Sequence, residues 1–211
     1  MARILITSGP TRQYLDPVRY ITNASSGRMG VALTQAALDL GHEVVVISGP
    51  VSVTYPAGAK VVPVTTTDEM LSAAMEHFES CDGAIGAAAP CDYMPRKIHT
   101  QKISKTGQPL TIELVETADV VATLGQNKKE GQWVVGFALE TEDQRFRAIV
   151  KLEKKLCDLM VSNGPTAIDS DDNEVELLDP SGHVIEAISG SKSHVAKRIL
   201  AQLQQRLVKR N

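Results

Sequence analysis

The sequence predicts an α/β protein: a Rossmann-like, doubly wound and mostly parallel sheet with helices on both faces and an additional β-hairpin. Three observations predict it. Short apolar runs alternate with longer runs over most of the chain, and the longer runs carry their apolar residues at helical spacing. Only residues 174–189 break that rhythm, with two alternating stretches joined by Pro180-Ser181-Gly182.

Taken in order, residues 2–8 (ARILITS) read as a buried strand, followed by a polar loop over 9–24. From Ser26 to Leu40, Met29, Leu33, Ala36, Ala37 and Leu40 fall on one helical stripe, and Gly41 supplies the stop. Residues 42–48 and 60–64 are strands. Thr66 with Glu69 three residues on is a capping-box pattern for a helix to about residue 79. Residues 83–89 (GAIGAAA) read as a strand thinned by small residues, which lets another backbone or a ligand come close. A long polar segment over 90–109 precedes a strand at 110–115, and Thr117 reads as a helix cap. A strand at 132–138 leads to a charged helix at 142–156, with Phe146, Ile149, Val150 and Leu156 expected toward the core. A strand at 158–163, the hairpin and a closing helix at 191–208 with Val195, Ile199, Leu203 and Leu207 on one face complete the chain. A single domain over 1–211 is expected, because 211 residues bury a sizeable core and no repeat or linker composition interrupts them.

Composition removes several function classes. A net charge of −3 gives no general nucleic-acid or membrane surface, and no apolar run approaches the ~20 residues of a membrane span. The start, MARILITSG, lacks the features of a signal peptide, so a cytoplasmic location is expected. Cys81, Cys91 and Cys157 never pair as C-x-x-C, which fits reduced thiols. The histidines show no metal-ligand spacing, and neither a G-x-S-x-G elbow nor a P-loop is present.

The ligand question turns on the first strand-to-helix connection. A dinucleotide fingerprint would follow the first strand directly; here Gly9 is followed only some sixteen residues later by Ser25-Ser26-Gly27-Arg28-Met29-Gly30. The second strand ends in Ile47-Ser48-Gly49, without an acidic residue for a ribose hydroxyl. Both facts count against an NAD(P)-dependent reductase. Instead two small-residue turns, 7–11 (TSGPT) and 23–27 (NASSG), with Arg12, Arg19 and Arg28 nearby, favour an anion site built from backbone N–H groups and hydroxyls. Simple helix capping by Asn23, Ser25 or Ser26 is the competing reading at each position. The 90–109 segment, with Arg96, Lys97, Lys102 and Lys105, has the length of a functional lid. On the 142–156 helix, Arg147, Lys151 and Lys155 share a face, where like charges cost about 0.2–0.5 kcal/mol per pair unless an anion, Glu140 or Glu142 offsets them.

The stretches 7–30 (TSGPTRQYLDPVRYITNASSGRMG), 87–93 (AAAPCDY), 101–105 (QKISK), 134–141 (VVGFALET) and 151–163 (KLEKKLCDLMVSN) resemble, in order, the motifs of the phosphopantothenate–cysteine ligase family of coenzyme A biosynthesis, over about residues 3–173. The resemblance implies a ligase that joins 4′-phosphopantothenate and L-cysteine through an acyl-nucleotidylate, with CTP as co-substrate in the bacterial form, ATP in the eukaryotic form, and Mg2+ on the triphosphate. It implies that Asn23 contacts the acyl-nucleotidylate and donates to a carbonyl or phosphoryl oxygen, and that Lys102 is a lid lysine reaching the phosphates. Gly9, Thr11, Gly86, Ala87, Ala88, Asp92, Ala118, Asp119, Val120, Val121, Phe137, Lys151 and Lys155 fall to the nucleotide; Ser25, Ser26 and Arg19, with Asn23, fall to the acid substrate. No metal ligand is assigned. Arg28 stands where lysine is common, and Ser104 replaces a lysine often found two residues after Lys102. The family is dimeric, with 174–189 a candidate dimerisation element, and many bacterial relatives carry a flavin-dependent decarboxylase ahead of this region. A chain starting at Met1 almost on its first strand is therefore expected to be a stand-alone synthetase or an excised half. The reductase, and a non-catalytic nucleotide-binding regulator, are the alternatives.

Overall fold

The computed structural model describes residues 1–140, 142–164 and 172–208. In chain order the elements are β1 (Arg3–Ser8), β2 (Arg12–Tyr14), β3 (Tyr20–Thr22), α1 (Arg28–Asp39), β4 (Glu43–Ser48), β5 (Lys60–Pro63) and α2 (Thr67–Phe78). They continue with β6 (Gly83–Gly86), β7 (Tyr93–Pro95), β8 (Leu114–Glu116), α3 (Val120–Gln126), β9 (Trp133–Leu139) and α4 (Gln144–Lys154). The last are β10 (Leu159–Asn163), β11 (Asp172–Leu178), β12 (Val184–Ser191) and α5 (Lys192–Arg206).

Eight strands form one sheet in the order β12-β11-β10-β9-β6-β1-β4-β5. The six from β10 to β5 are parallel, and β11 and β12 add antiparallel at one end. The predicted hairpin is thus the edge of the main sheet. The period-2 pleat divides each central strand between two cores. Ile4, Ile6, Val44 and Val46 pack with α1 and α5, whereas Leu5, Val45 and Ile47 pack with α2, α3 and α4. Chain order reverses between β1 and β6, and such a switch point opens a crevice at the carboxyl ends of the strands.

Several expectations are corrected. The 9–24 loop contains the β2–β3 hairpin, and the 90–116 stretch contains β7 paired with β8. The first helix starts at Arg28, after Gly27 in the left-handed region (φ 77°), and Leu40 is exposed just past its end. The strand expected at 83–89 stops at Gly86. Space freed by its missing Cβ atoms is partly filled by the protein: the Trp133 ring covers Gly83 and the Val121 side chain covers Gly86. The strand expected at 110–115 forms at Leu114–Glu116 instead. Asp119 rather than Thr117 caps α3, accepting from the Ala122 N–H, while the Thr117 hydroxyl donates to the Cys91 carbonyl at 2.6 Å. On α4 the buried residues are Ala148 and Leu152, and Ile149 packs against the same core as expected. Phe146 and Val150 are exposed on the helix and Leu156 just past its end, because the core-facing stripe is Ala148, Ile149 and Leu152. Thr141 of the 134–141 motif lies outside the described residues. Among the described residues, no helix is long and apolar enough to cross a membrane.

Candidate functional site

A cavity of about 460 Å³ runs along the carboxyl edge of the sheet. Its floor is Thr7 on β1, Gly86 to Asp92 after β6, Phe137 and Leu139 on β9, and Asn163 on β10. One wall is the start of α1 with the segment before it, residues 23–30; the opposite wall is Thr117 to Val121 with Lys151 and Lys155 of α4.

The α1 wall answers whether the serines there cap a helix. They do not: Gly27 holds the cap position, and no side-chain cap hydrogen bond is made there among the described residues. Thr66 caps α2 with a full capping box, Asp119 caps α3 and Ser191 caps α5, whereas α4, like α1, has no side-chain cap bond at its N-cap, Asp143. The first N–H groups of an α-helix lack intrahelical acceptors, and here they face a cavity with no cap of their own. Gly30 makes this placement possible. A Cβ there would sit 1.9 Å from the Ser8 hydroxyl oxygen, so only glycine lets the helix start lie against the tip of β1.

Across the cavity the cationic stripe of α4 is held by carboxylates. Nζ of Lys151 is 2.5 Å from Oε1 of buried Glu140, an ion pair set at an angle outside hydrogen-bond geometry. Arg147 pairs with Glu140 and Glu142 at 4.0 and 3.5 Å. Nζ of Lys155 is 3.0 Å from Oδ2 of Asp119. The offset anticipated for Glu140 and Glu142 is therefore supplied within the protein, and both lysines still line the cavity.

The structure brings together Asn23, Ser25, Ser26, Gly86, Ala87, Ala88, Asp92, Ala118, Asp119, Val120, Val121, Phe137, Lys151 and Lys155. It places four others elsewhere. Gly9 packs on Val51 and Gly49, with its carbonyl accepting from the Ala89 N–H. Thr11 is buried, bonding the Thr67 hydroxyl at 2.9 Å and accepting from the Cys91 N–H at 2.8 Å. Gly9 and Thr11 are therefore tied into the joint with residues 89–91, while Thr7 and Pro10 of the same turn line the larger and the smaller cavity. Arg19 is bound to Asp16 and to the Ile103 carbonyl, and Lys102 is exposed on the lid.

Asn23 also differs from expectation. Its amide nitrogen donates to the carbonyls of Ala89 and Pro90 at 3.2 and 2.9 Å, so both donors are spent on the cavity floor. Two carbonyl acceptors fix the amide orientation, which leaves Oδ1, an acceptor, as the free group of the side chain. Burial pushes the Cys91 thiol up in pKa, which disfavours the thiolate, and its S–H is turned to the Thr11 carbonyl at 3.4 Å. A smaller open cavity, lined by Pro10, Arg12, Tyr20, Thr22 and Pro50, shares Asn23 to Ser26 with the first. Arg12 stacks 4.5 Å from the Tyr20 ring centroid.

Sequence reasoning missed the far end of the main cavity: Asn163, Asn173 and Lys192. Asn173 accepts from Lys192 Nζ at 3.0 Å, and Asn163 Oδ1 is buried with no hydrogen-bond partner among the described residues. The available signal was position, since Asn163 ends a parallel strand, where ligand-facing residues sit. Among the described residues, no group of three or more His, Cys, Asp or Glu side chains forms a metal site.

A mostly parallel sheet with a cavity at its switch point, lined by the start of α1 and by Lys151 and Lys155, places the chain among α/β proteins of the Rossmann-like class. Within that class the chain belongs to the DNA/pantothenate metabolism flavoprotein C-terminal domain family, whose model matches residues 1–207. It is 42% identical over 207 residues to the coenzyme A biosynthesis bifunctional protein CoaBC of Vibrio vulnificus (strain YJ016), covering 95% of this chain and 51% of the relative. The crystal structure of the C-terminal domain of CoaBC is 36% identical, with a TM-score of 0.81 over 96% of this chain and 94% of that one. The H337A mutant of Cab2, in complex with phosphopantothenate-cysteine, shares the fold at 15% identity, with a TM-score of 0.80 over 96% of this chain and 86% of that one. The chain spans about half the length of the curated relatives it matches.

Proposed function

We propose that this chain carries the phosphopantothenate–cysteine ligase step of coenzyme A biosynthesis, with CTP as activating nucleotide. One observation carries the reading: an uncapped helix start faces Lys151 and Lys155 across a cavity at the switch point. A carboxylate is a poor acyl donor, and the arrangement suits a chemistry that converts it to a mixed anhydride. The carboxylate oxygen of 4′-phosphopantothenate bonds to the α-phosphorus as the bond to pyrophosphate breaks. The cysteine nitrogen then bonds to the acyl carbon, CMP leaves, and the amine proton passes to solvent.

Each residue has a task in this scheme. Lys151, Lys155 and the α1 N–H groups offset charge on the transferring phosphoryl group, and they are oriented before the reaction begins. The shared wall, Asn23 to Ser26, lies where a nucleotide in the larger cavity meets an acid in the smaller one. Asn23 Oδ1 is an acceptor for the incoming amine. Asn163 Oδ1 offers a buried acceptor to the exocyclic amine that cytosine and adenine both carry. Mg2+ bound to nucleotide phosphates needs only one or two protein carboxylates, and Asp92 in the cavity floor fits that part. When bound, it would neutralise charge on the departing pyrophosphate.

A homodimer, through the edge strand β12, and association with a flavin-dependent decarboxylase belong to the same reading; CoaBC relatives are bifunctional. The reductase alternative finds no support at the end of β4, where Ser48 bonds Tyr55 and no acidic side chain follows. The test combines protein, Mg2+, 4′-phosphopantothenate, L-cysteine and either CTP or ATP, and measures pyrophosphate and amide product. Pyrophosphate with CTP is expected; none with either nucleotide sinks the ligase reading and leaves the non-catalytic regulator.

A further inference from the structure

We propose that Asp16 is a positioning residue for Lys102: with Arg19 it clasps the Ile103 peptide and fixes the part of the lid that carries the lysine. The lid leaves the body at Arg96 and returns at Glu113, where the Arg96 N–H donates to the Glu113 carbonyl at 3.0 Å and the side chains pair at 2.6 Å. Between those points its first half is tied down twice. The His99 N–H donates to the Leu15 carbonyl at 2.9 Å. At Ile103 both peptide groups are held: the N–H donates to Asp16 Oδ2 at 3.1 Å, and the carbonyl accepts from Arg19 at 2.7 Å. Lys102 stands between these two ties, while residues 104–111 are all exposed.

The Asp16 carboxylate is fully buried and its two oxygens divide the work. Oδ1 accepts from the Val18 and Arg19 backbone N–H groups at 2.8 and 2.9 Å, shaping the turn between β2 and β3. Oδ2 accepts from the Arg19 guanidinium, 2.9 Å at Nε, and from Ile103, a residue 87 positions away. A turn needs only the first set. The second joins the tip of the β2–β3 hairpin to the lid and spends Arg19 there, which accounts for its place outside the main cavity.

The link to catalysis rests on the ligase reading; the clasp itself does not. Asp16→Asn retains an acceptor for the turn but turns an NH2 group toward two donors, the Ile103 N–H and the Arg19 guanidinium. Two readouts separate the claims. In folded protein without ligand, trypsin cleavage after Lys102 is expected to run about five- to tenfold faster in Asp16→Asn, because cleavage follows the open population of the lid. In pyrophosphate release, kcat of Asp16→Asn is expected to fall by a similar factor, and Asp16→Asn/Lys102→Gln to be no slower than Lys102→Gln alone. If Asp16→Asn does not fold, Arg19→Lys carries the same test, since a lysine keeps the charge and loses the fork that reaches Ile103. Unchanged cleavage in the folded variant, or fully additive rate losses, overturns the proposal. A wild-type protein that releases no pyrophosphate overturns the ligase reading, and the cleavage rates then decide the clasp alone.

Discussion

At Asn23 the structure changes what the side chain can do. Its NH2 group is committed to Ala89 and Pro90, so the residue holds the segment after β6 against the α1 wall and leaves an oxygen for the ligand. Asn23→Asp would set a carboxylate oxygen against two carbonyls and forfeit both bonds, each worth about 0.5–1.5 kcal/mol. The expected outcome is a roughly tenfold or larger loss of turnover together with weaker nucleotide binding, because the wall itself moves. Initial rates and nucleotide titration check this, and a variant with unchanged turnover removes Asn23 from the site. Part of this neighbourhood was legible from the residues themselves, in the small-residue turn 23–27 and the thin stretch 83–89, whereas 118–121 and the nucleotide role of 86–88 came only from the family resemblance. All three segments, 23–27, 86–88 and 118–121, line the cavity. Lys151 and Lys155 were visible as i, i+4 cations on one face, but their place at a ligand was implied only by the resemblance. Asn163, Asn173 and Lys192 were not, since only the antiparallel addition of β11 and β12 beside β10 brings them together. Thr11 read as a ligand contact because a hydroxyl beside a glycine turn looks the same whether it faces a phosphate or, as here, Thr67 and Cys91.

Among the elements, α1 does the most for the site, and one residue sets its position. Gly30→Ala drives a methyl group into Ser8, backbone-rooted and already bonded to Tyr55 at 2.8 Å. Overpacking of this kind costs about 1–3 kcal/mol, equivalent to a midpoint lowered by roughly 2–12 °C for a chain of this size. Nucleotide affinity is expected to fall as well, since relief of the clash shifts the helix start away from the cavity. Calorimetry and titration check the two parts; a variant with wild-type values in both refutes the close approach. The long parallel strands and α1, α2 and α5 were legible because each has a full apolar stripe or run. The two small hairpins were not. Their strands are three residues long and partly exposed, and in the second pair the partners lie far apart in sequence, as in Tyr93 to Glu116. Periodicity needs more residues than that to register.

For the whole molecule, pH and ligand should each move stability in a defined direction. His42 is buried at the start of β4, where Nδ1 accepts from the Ala2 N–H at 3.1 Å, and burial holds its pKa below the ordinary value of 6.5. The folded state thus disfavours the charged ring. Its contribution is complete above pH 6.5 and is lost as pH falls from there toward the lowered folded value, because the unfolded chain then binds the extra proton. His42→Asn keeps an acceptor for Ala2 and is expected to flatten the stability profile on the acid side of pH 6.5 in urea titrations; an unaltered slope dismisses His42 as its source. A ligand acts on the opposite side of the balance. On the ligase reading, CTP with Mg2+ at one hundred times its dissociation constant stabilises the fold by about 2.7 kcal/mol, a rise of roughly 5–11 °C in the midpoint. Lys155→Met should reduce that rise, because it removes a cation from the cavity and leaves Asp119, its partner at 3.0 Å, as an unpaired negative charge beside the phosphates. ATP, whose base offers the same exocyclic amine to Asn163, is the comparison nucleotide. Equal shifts would place base selection outside this cavity, and no shift with either nucleotide would mean that the uncapped start of α1 and the two lysines do not hold a triphosphate.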